Sequence, residues 1–191
     1  MIRRLGAFLV GLALVVAPAA AQDPKPKAGA PDTKGGAAKT KQAVITMEGG
    51  GQIALEFFPA DAPRHVENFL KLAEQKFYDG QRVHRVEPGF VVQFGDPQTK
   101  TLPVTDARVG TGGPGYTVKA EFNKRPFERG VLGMARSNDP DSAGSQVYIM
   151  LGPAPFLNGS YTAFGRVVSG MEVADKIKVG DRITSIKVAD R

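Results

Sequence analysis

The apolar positions of this 191-residue chain fall into three regimes. Leu5 to Val16 is one unbroken apolar run, preceded by Arg3 and Arg4 and followed by Pro18, Ala19, Ala20 and Ala21. From Gln22 to Gln42 nothing apolar larger than alanine and proline occurs. From Ala43 onward short apolar runs alternate with polar and glycine-rich breaks. Ala43 to Glu48 and Gln52 to Phe57 read as two strands of a hairpin turned at Gly49, Gly50 and Gly51, with Ile53, Leu55 and Phe57 on one face. Asp61 is the expected N-cap of a helix with Pro63 in its first turn, and Ala62, Val66, Phe69, Leu70 and Ala73 recur at helical spacing to about Gln75. Six further strand-like runs follow: Arg82 to Val86, Gly89 to Phe94, Val131 to Ala135, Gln146 to Leu151, Ala163 to Val168 and Ile183 to Ala189. A second helix is expected from Met171 to Lys178. Eight short strands and two helices predict a mostly β fold, a closed eight-stranded antiparallel barrel capped by the helices, because closure removes exposed sheet edges.

The first two regimes define the organisation. A bilayer span needs roughly 20 apolar residues; the Leu5–Val16 run is shorter, follows a positive pair and precedes an A-x-A site. Residues 1–21 are therefore expected to be a signal peptide cut after Ala21, with no stable membrane insertion afterwards. Residues 22–42 are expected to be a disordered Lys/Pro/Ala/Gly linker, because they cannot bury enough surface to offset the entropy of ordering. That leaves 43–191 as the folded domain, exported to the periplasm or secreted, and expected to be a monomer.

Composition narrows the chemistry. There is no cysteine, and His65 and His84 are the only histidines, so a thiol nucleophile and a His/Cys zinc site are excluded. The net charge of +6 misleads: removing Arg3, Arg4 and the linker's surplus of three lysines leaves about +1 on the domain. A nearly neutral domain argues against nucleic acid as a partner. Gly110-Thr111-Gly112-Gly113-Pro114-Gly115 fits G-x-G-x-x-G, but an extended segment follows it rather than a helix, so a glycine loop beside a groove is the better reading. Ser142 and Ser145 lack His–Asp partners in the sequence, His65 is expected to be solvated, and Asn158-Gly159-Ser160 reads as a turn.

The segment Phe77 to Asp96 carries the most information. Side chains two apart on a strand share a face, which pairs Val83 with Arg85, Val91 with Gln93 and, further on, Gln146 with Tyr148. One arginine and two glutamines among apolar and aromatic side chains suit a concave site in which few polar groups orient an apolar ligand. Val83, His84, Arg85, Gly89, Phe90, Gln93, Gly95 and Asp96 stand at the spacing of the cyclophilin signature, with Val83 where many members have Phe. Gly130 to Arg136 with Ser142 to Ile149, and Phe156 to Gly165, resemble the family's second and third blocks, in order over about residues 43–191. The chain thus resembles cyclophilin-type peptidyl-prolyl cis/trans isomerases, in particular bacterial exported members.

That resemblance implies rotation about X–Pro bonds in folding or exported polypeptides, with no cofactor and no metal. It implies a catalytic Arg85 oriented by Gln93; a proline pocket of Phe90, Val91, Tyr148 and Leu157, walled by Phe156 and Tyr161; substrate contacts at Ala135 and Arg136; and Gln146 at the rim of a neighbouring pocket. Phe156 and Tyr161 replace the Trp and His of well-known cytosolic members, which implies weak cyclosporin binding. His84 is expected to be structural, since the reaction transfers no proton to a protein base. The alternative function is a proline-peptide-binding chaperone module with little turnover.

Overall fold

The computed structural model describes residues 41–190. Eight strands are present: β1 (Lys41–Met47), β2 (Gln52–Phe57), β3 (Arg85–Glu87), β4 (Val91–Phe94), β5 (Val131–Met134), β6 (Val147–Met150), β7 (Ala163–Ser169) and β8 (Ile183–Asp190). Helix α1 (Pro63–Glu74) lies between β2 and β3, and the short α2 (Met171–Ala174) between β7 and β8. The strands form one antiparallel sheet in the order β3-β4-β6-β5-β7-β2-β1-β8.

The sheet curls into a barrel whose seam is sewn at one end. β3 and β8 are its outer strands, and residues beside them make the closure. Gly80 and Val83 donate backbone N–H bonds to Ile183 and Asp181, and Gly180 and Ile183 donate back to Val83 and Gln81, each at 2.8 Å. Arg82 and Arg182 form the accompanying bridge. A barrel is present, less completely closed than the strand count alone predicts. On one side of the seam β3 is only three residues long, which leaves little unpaired backbone on that edge.

The strand alternation sorts the core into two clusters. The larger fills the barrel with Ile45, Ile53, Leu55, Val92, Phe94, Leu132, Ile149, Phe164, Ile183 and Ile186. The smaller lies on the opposite face of β4, β5 and β6 and contains Val91, Phe127, Val131, Tyr148, Met150, Ala154, Leu157 and Ala163. β5 and β6 are thus covered on both faces and read as near-continuous apolar runs. α1 packs Val66, Phe69, Leu70 and Ala73 on the barrel, where the Phe69 ring meets Phe57, Tyr78 and Phe164 at 5.1–5.6 Å.

Five expectations are corrected. Residues 41 and 42 belong to β1, not to the linker, because they complete the ladder with Asp190 and Ala189. Asp61 does not cap α1; its carboxylate pairs with Arg125 at 2.8 Å, and Ala62 occupies the cap position. The missing cap comes from far along the chain: Glu121 accepts the backbone N–H groups of Arg64 (3.2 Å) and His65 (3.0 Å). For that reason His65 is fully buried rather than solvated, with Nδ1 2.7 Å from the Glu121 carboxylate. Finally, α2 ends at Ala174 rather than Lys178, and Val83 does not share a face with Arg85. Val83 precedes β3 in non-strand backbone bonded across the seam, which turns its side chain into the barrel. The expected leader, residues 1–21, and the expected linker up to residue 40 lie outside the described residues.

The His65–Glu121 pair makes stability pH-dependent. Burial is the main influence on both groups; it holds His65 below its ordinary 6.5, so Nδ1–H of a neutral ring donates to the carboxylate. Burial alone would raise Glu121, but the bonds from His65 and Arg64 outweigh it and hold the carboxyl below 4.5. Both folded pKa values are depressed, so the native state binds fewer protons than the unfolded one, and stability falls on acidification. The loss begins as pH drops through about 6.5, where unfolded histidine protonates, and continues through the carboxylate range. Urea melts between pH 7.5 and 4 will show this decline. Glu121→Ala will lower the unfolding free energy at pH 7.5 by about 1–3 kcal/mol and flatten the profile.

Candidate active site

β3, β4 and β6 lie side by side, so residues on their common outer face stand in a row. Arg85 pairs with Gln93, and Gln93 with Tyr148, across the two ladders. The Arg85 guanidinium donates to Gln93 Oε1 at 3.2 Å, and Gln93 Nε2 donates to Gln146 Oε1 at 3.0 Å. Gln146 Nε2 in turn donates to the carbonyls of Gly110 and Gly112, each at 2.9 Å. A directed relay of side-chain amides thus links the guanidinium to the glycine loop. Arg85 is half exposed, 3.6 Å from Glu87, with its guanidinium 5.7 Å from the Phe90 ring centroid.

The relay borders a cavity of about 290 Å³ lined by Arg85, Phe90, Val91, Gln93, Ala135, Arg136, Tyr148, Phe156, Leu157 and Tyr161. Every expected site residue except Gln146 lies in this lining, and Gln146 touches it through Gln93. Phe156 is 71% exposed and leans over Phe90 at 5.7 Å, while Tyr148 is buried with its ring edge-on to Tyr161. Burial, then the neighbouring Tyr161, pushes the Tyr148 phenol up, so its hydroxyl stays protonated; it has no hydrogen-bond partner among the described residues. A second cavity of about 550 Å³ adjoins the first through Gln93, Ala135 and Arg136 and runs along Gly110 to Thr117. The glycine loop therefore lies beside the groove, as expected.

Both ring nitrogens of His84 are buried, and burial holds its pKa below the usual value against the opposing pull of Asp96 and Gln146. Ser142 Oγ donates to the Asp139 carbonyl and Ser145 Oγ to the Gly95 carbonyl, so neither hydroxyl is part of a triad. Asn158 Oδ1 accepts the Phe127 backbone N–H at 2.8 Å, consistent with a turn. Among the described residues no cluster of three or more His, Asp or Glu could hold a metal.

Three positions matter here that sequence reasoning left unassigned. Asp96 is fully buried and accepts backbone N–H bonds from Gln98 (2.8 Å), Gly110 (2.6 Å) and Gly112 (3.1 Å), which anchors the glycine loop. Gly112 has to be glycine, since a Cβ there would lie 2.2 Å from Asp96 Oδ1. Gly133 faces Tyr148, and a Cβ would lie 2.2 Å from its Cζ and 2.4 Å from its Oη. Asp96 closes the signature segment, so its place was visible but its bonding was not. The Gly133–Tyr148 fit depends on a cross-strand partner in the ladder.

The site is an apolar notch bordered by two hydrogen-bonded guanidinia, those of Arg85 and Arg136, an arrangement suited to gripping an apolar group and polarising what lies beside it. Known proteins agree. The profile of the family described as "Cyclophilin type peptidyl-prolyl cis-trans isomerase/CLD" matches residues 43–190. The chain is 49% identical over 147 residues to a probable peptidyl-prolyl cis-trans isomerase of Brucella abortus, covering 75% of each chain. It is 43% identical over 150 residues to peptidyl-prolyl cis-trans isomerase B of Bacillus subtilis, covering 78% of this chain and 98% of that one. A crystal structure of a Cryptosporidium parvum cyclophilin superposes with a TM-score of 0.69 at 25% identity, covering 80% of this chain and 99% of the other. The same relative, crystallised in the presence of the dipeptide Ala-Pro, matches with a TM-score of 0.66 at 26% identity, covering 78% and 99%. This chain belongs to the cyclophilin-type peptidyl-prolyl cis-trans isomerase family, and peptidyl-prolyl isomerisation is its activity.

Because Gly133 accommodates the Tyr148 ring, Gly133→Ala will force that ring out of position. We expect a loss of about 1–3 kcal/mol in urea unfolding together with weaker binding of a proline peptide followed by NMR. Adding Tyr148→Leu, which removes the opposing ring atoms, will recover part of the lost stability.

Proposed function

We propose that Arg85 carries the isomerisation, acting on X–Pro bonds of unfolded or extended polypeptides. The observation that supports this most directly is the placement of its guanidinium, held by Gln93 at the mouth of the apolar cavity. Rotation about a peptide C–N bond meets a barrier of about 18–20 kcal/mol, because the nitrogen lone pair is delocalised into the carbonyl. At the twisted midpoint that lone pair localises and accepts a hydrogen bond that the planar states cannot accept. A guanidinium N–H aimed at it binds the transition state more tightly than either ground state, which is the condition for catalysis.

The remaining residues take supporting roles in this reading. Phe90, Val91, Tyr148 and Leu157 hold the pyrrolidine ring, with Phe156 and Tyr161 as walls. They displace water, so the charged donor acts in a lower dielectric than bulk solvent. Gln93 orients Arg85 and stands near the substrate carbonyl, while Ala135 and Arg136 border the chain beside the proline. The Ala-Pro dipeptide present with the Cryptosporidium relative supports a proline-containing ligand here as well. In this reading residues 1–21 are a cleaved leader and residues 22–40 a linker, and the domain works as a monomer outside the cytoplasm, in the periplasm or secreted.

The test is magnetisation-exchange NMR on a short Xaa-Pro peptide with the purified chain. Wild type will broaden the cis and trans resonances. Arg85→Ala will slow exchange by about 10²–10³-fold, the scale for removing one preorganised transition-state donor, while peptide-induced shifts at Phe90 and Leu157 persist. Gln93→Ala will slow it about tenfold, equivalent to ~1.4 kcal/mol. Equal exchange in wild type and Arg85→Ala overturns the assignment of Arg85; binding without exchange in wild type would instead mark a chaperone-like binding module.

A further inference from the structure

The two adjoining cavities share one fixed positive charge. Arg136 lines both, and it is the only charged residue in the lining of the larger one. Its guanidinium is pinned by backbone carbonyls: Nη2 donates to Ser160 at 3.0 Å, Nη1 to Ser137 at 2.8 Å, and Nε to Ser160 at 3.4 Å. It also stacks 4.4 Å from the Tyr161 ring centroid. Arg136 makes no ion pair among the described residues. The nearest acids in sequence do not neutralise it. Asp139 accepts the backbone N–H of Asp141, and Asp141 accepts that of Ala120, each at 2.9 Å. The guanidinium is therefore ordered, uncompensated and half open to the groove. The rest of the larger cavity offers hydroxyls (Thr111, Thr117, Ser137, Ser142), glycine backbone and Gln146.

We infer that this enzyme prefers substrates with an acidic side chain, Glu or Asp, two residues from the isomerised proline. In an extended chain, side chains two apart project to the same face. With the proline ring in the smaller cavity, the residue two positions away projects into the larger one, beside Arg136. A preorganised arginine fork with bound carbonyls loses little entropy on accepting a carboxylate. The inference rests on the isomerase reading of the same groove and adds the substrate class to it.

The test uses the full chain and peptides that differ only at the position two before or two after the proline, carrying Glu, Gln or Lys. NMR exchange rates at sub-saturating peptide give relative kcat/KM. The Glu peptide should exceed its Gln counterpart about five- to tenfold at one of the two positions, the scale of a single charge-assisted bond near the surface. Lys should fall below Gln, and the ratio should shrink in 0.5 M salt. Arg136→Gln should bring the Glu/Gln ratio to about one, and Arg136→Lys should restore part of it, which a purely structural role would not do. A wild-type ratio near one at both positions, or a ratio unchanged in Arg136→Gln, overturns the inference. The Gln peptide's exchange with wild type tests the isomerase reading separately.

Discussion

The chain of hydrogen bonds from Arg85 through Gln93 and Gln146 to the carbonyls of Gly110 and Gly112 is the constraint around which this surface is organised. A guanidinium on a three-residue edge strand has several rotatable bonds and every incentive to relax into water. Here one face of it is occupied by a glutamine whose own amide is fixed in direction by a second glutamine. That second amide is fixed by a loop, and the loop is fixed by the buried Asp96 carboxylate, which accepts three backbone N–H groups. Each member leaves the next with one sensible orientation. Networks of this kind in a half-buried setting confer direction more than net stability.

The apolar half of the site depends on the sheet. β5 and β6 are covered on both faces, so the barrel interior and the groove are two cores back to back, sharing strands. The groove floor is consequently as rigid as the barrel wall. Gly133 is where the two requirements meet: the strand must continue, and the Tyr148 ring must lie flat against it, which leaves no room for a methyl group. Phe156, by contrast, sits in a single 3-10 turn, Pro155–Leu157, and is largely exposed, with its ring leaning on Phe90 at the upper lip of the groove. A firm floor and a lightly held lip suit a catalyst that must release either isomer of a flexible chain.

Charge is distributed with the same economy. The domain as a whole is nearly neutral, yet Arg85 and Arg136 both border the groove, and the one acid beside Arg85, Glu87, is more than half exposed. A carboxylate facing the groove directly would compete with the amide for the Arg85 donor. The buried acids are used elsewhere, Asp96 under the loop and Glu121 at the start of α1, where backbone N–H groups consume their acceptor capacity.

Much of this was legible in the residues alone, and for local reasons. The hairpin of β1 and β2, the buried stripe Val66, Phe69, Leu70 and Ala73, and the runs that became β4 to β8 follow from side-chain period, which the chain carries wherever it goes. Arg85, Phe90 and Gln93 were legible as one site through the resemblance of their spacing to the cyclophilin signature; the turn between β3 and β4 then sets Arg85 opposite Gln93 in the ladder. What only the tertiary structure decided involves partners far apart in sequence: Glu121 capping α1 and burying His65, Asp61 going to Arg125, Val83 turning inward at the seam, Asp96 holding a loop 14 residues on, and Arg136 left without a counter-ion among the described residues. Periodicity reports which face is apolar, but the pairing of polar groups is settled by three-dimensional competition for each donor and acceptor, and that competition leaves no mark on the local pattern.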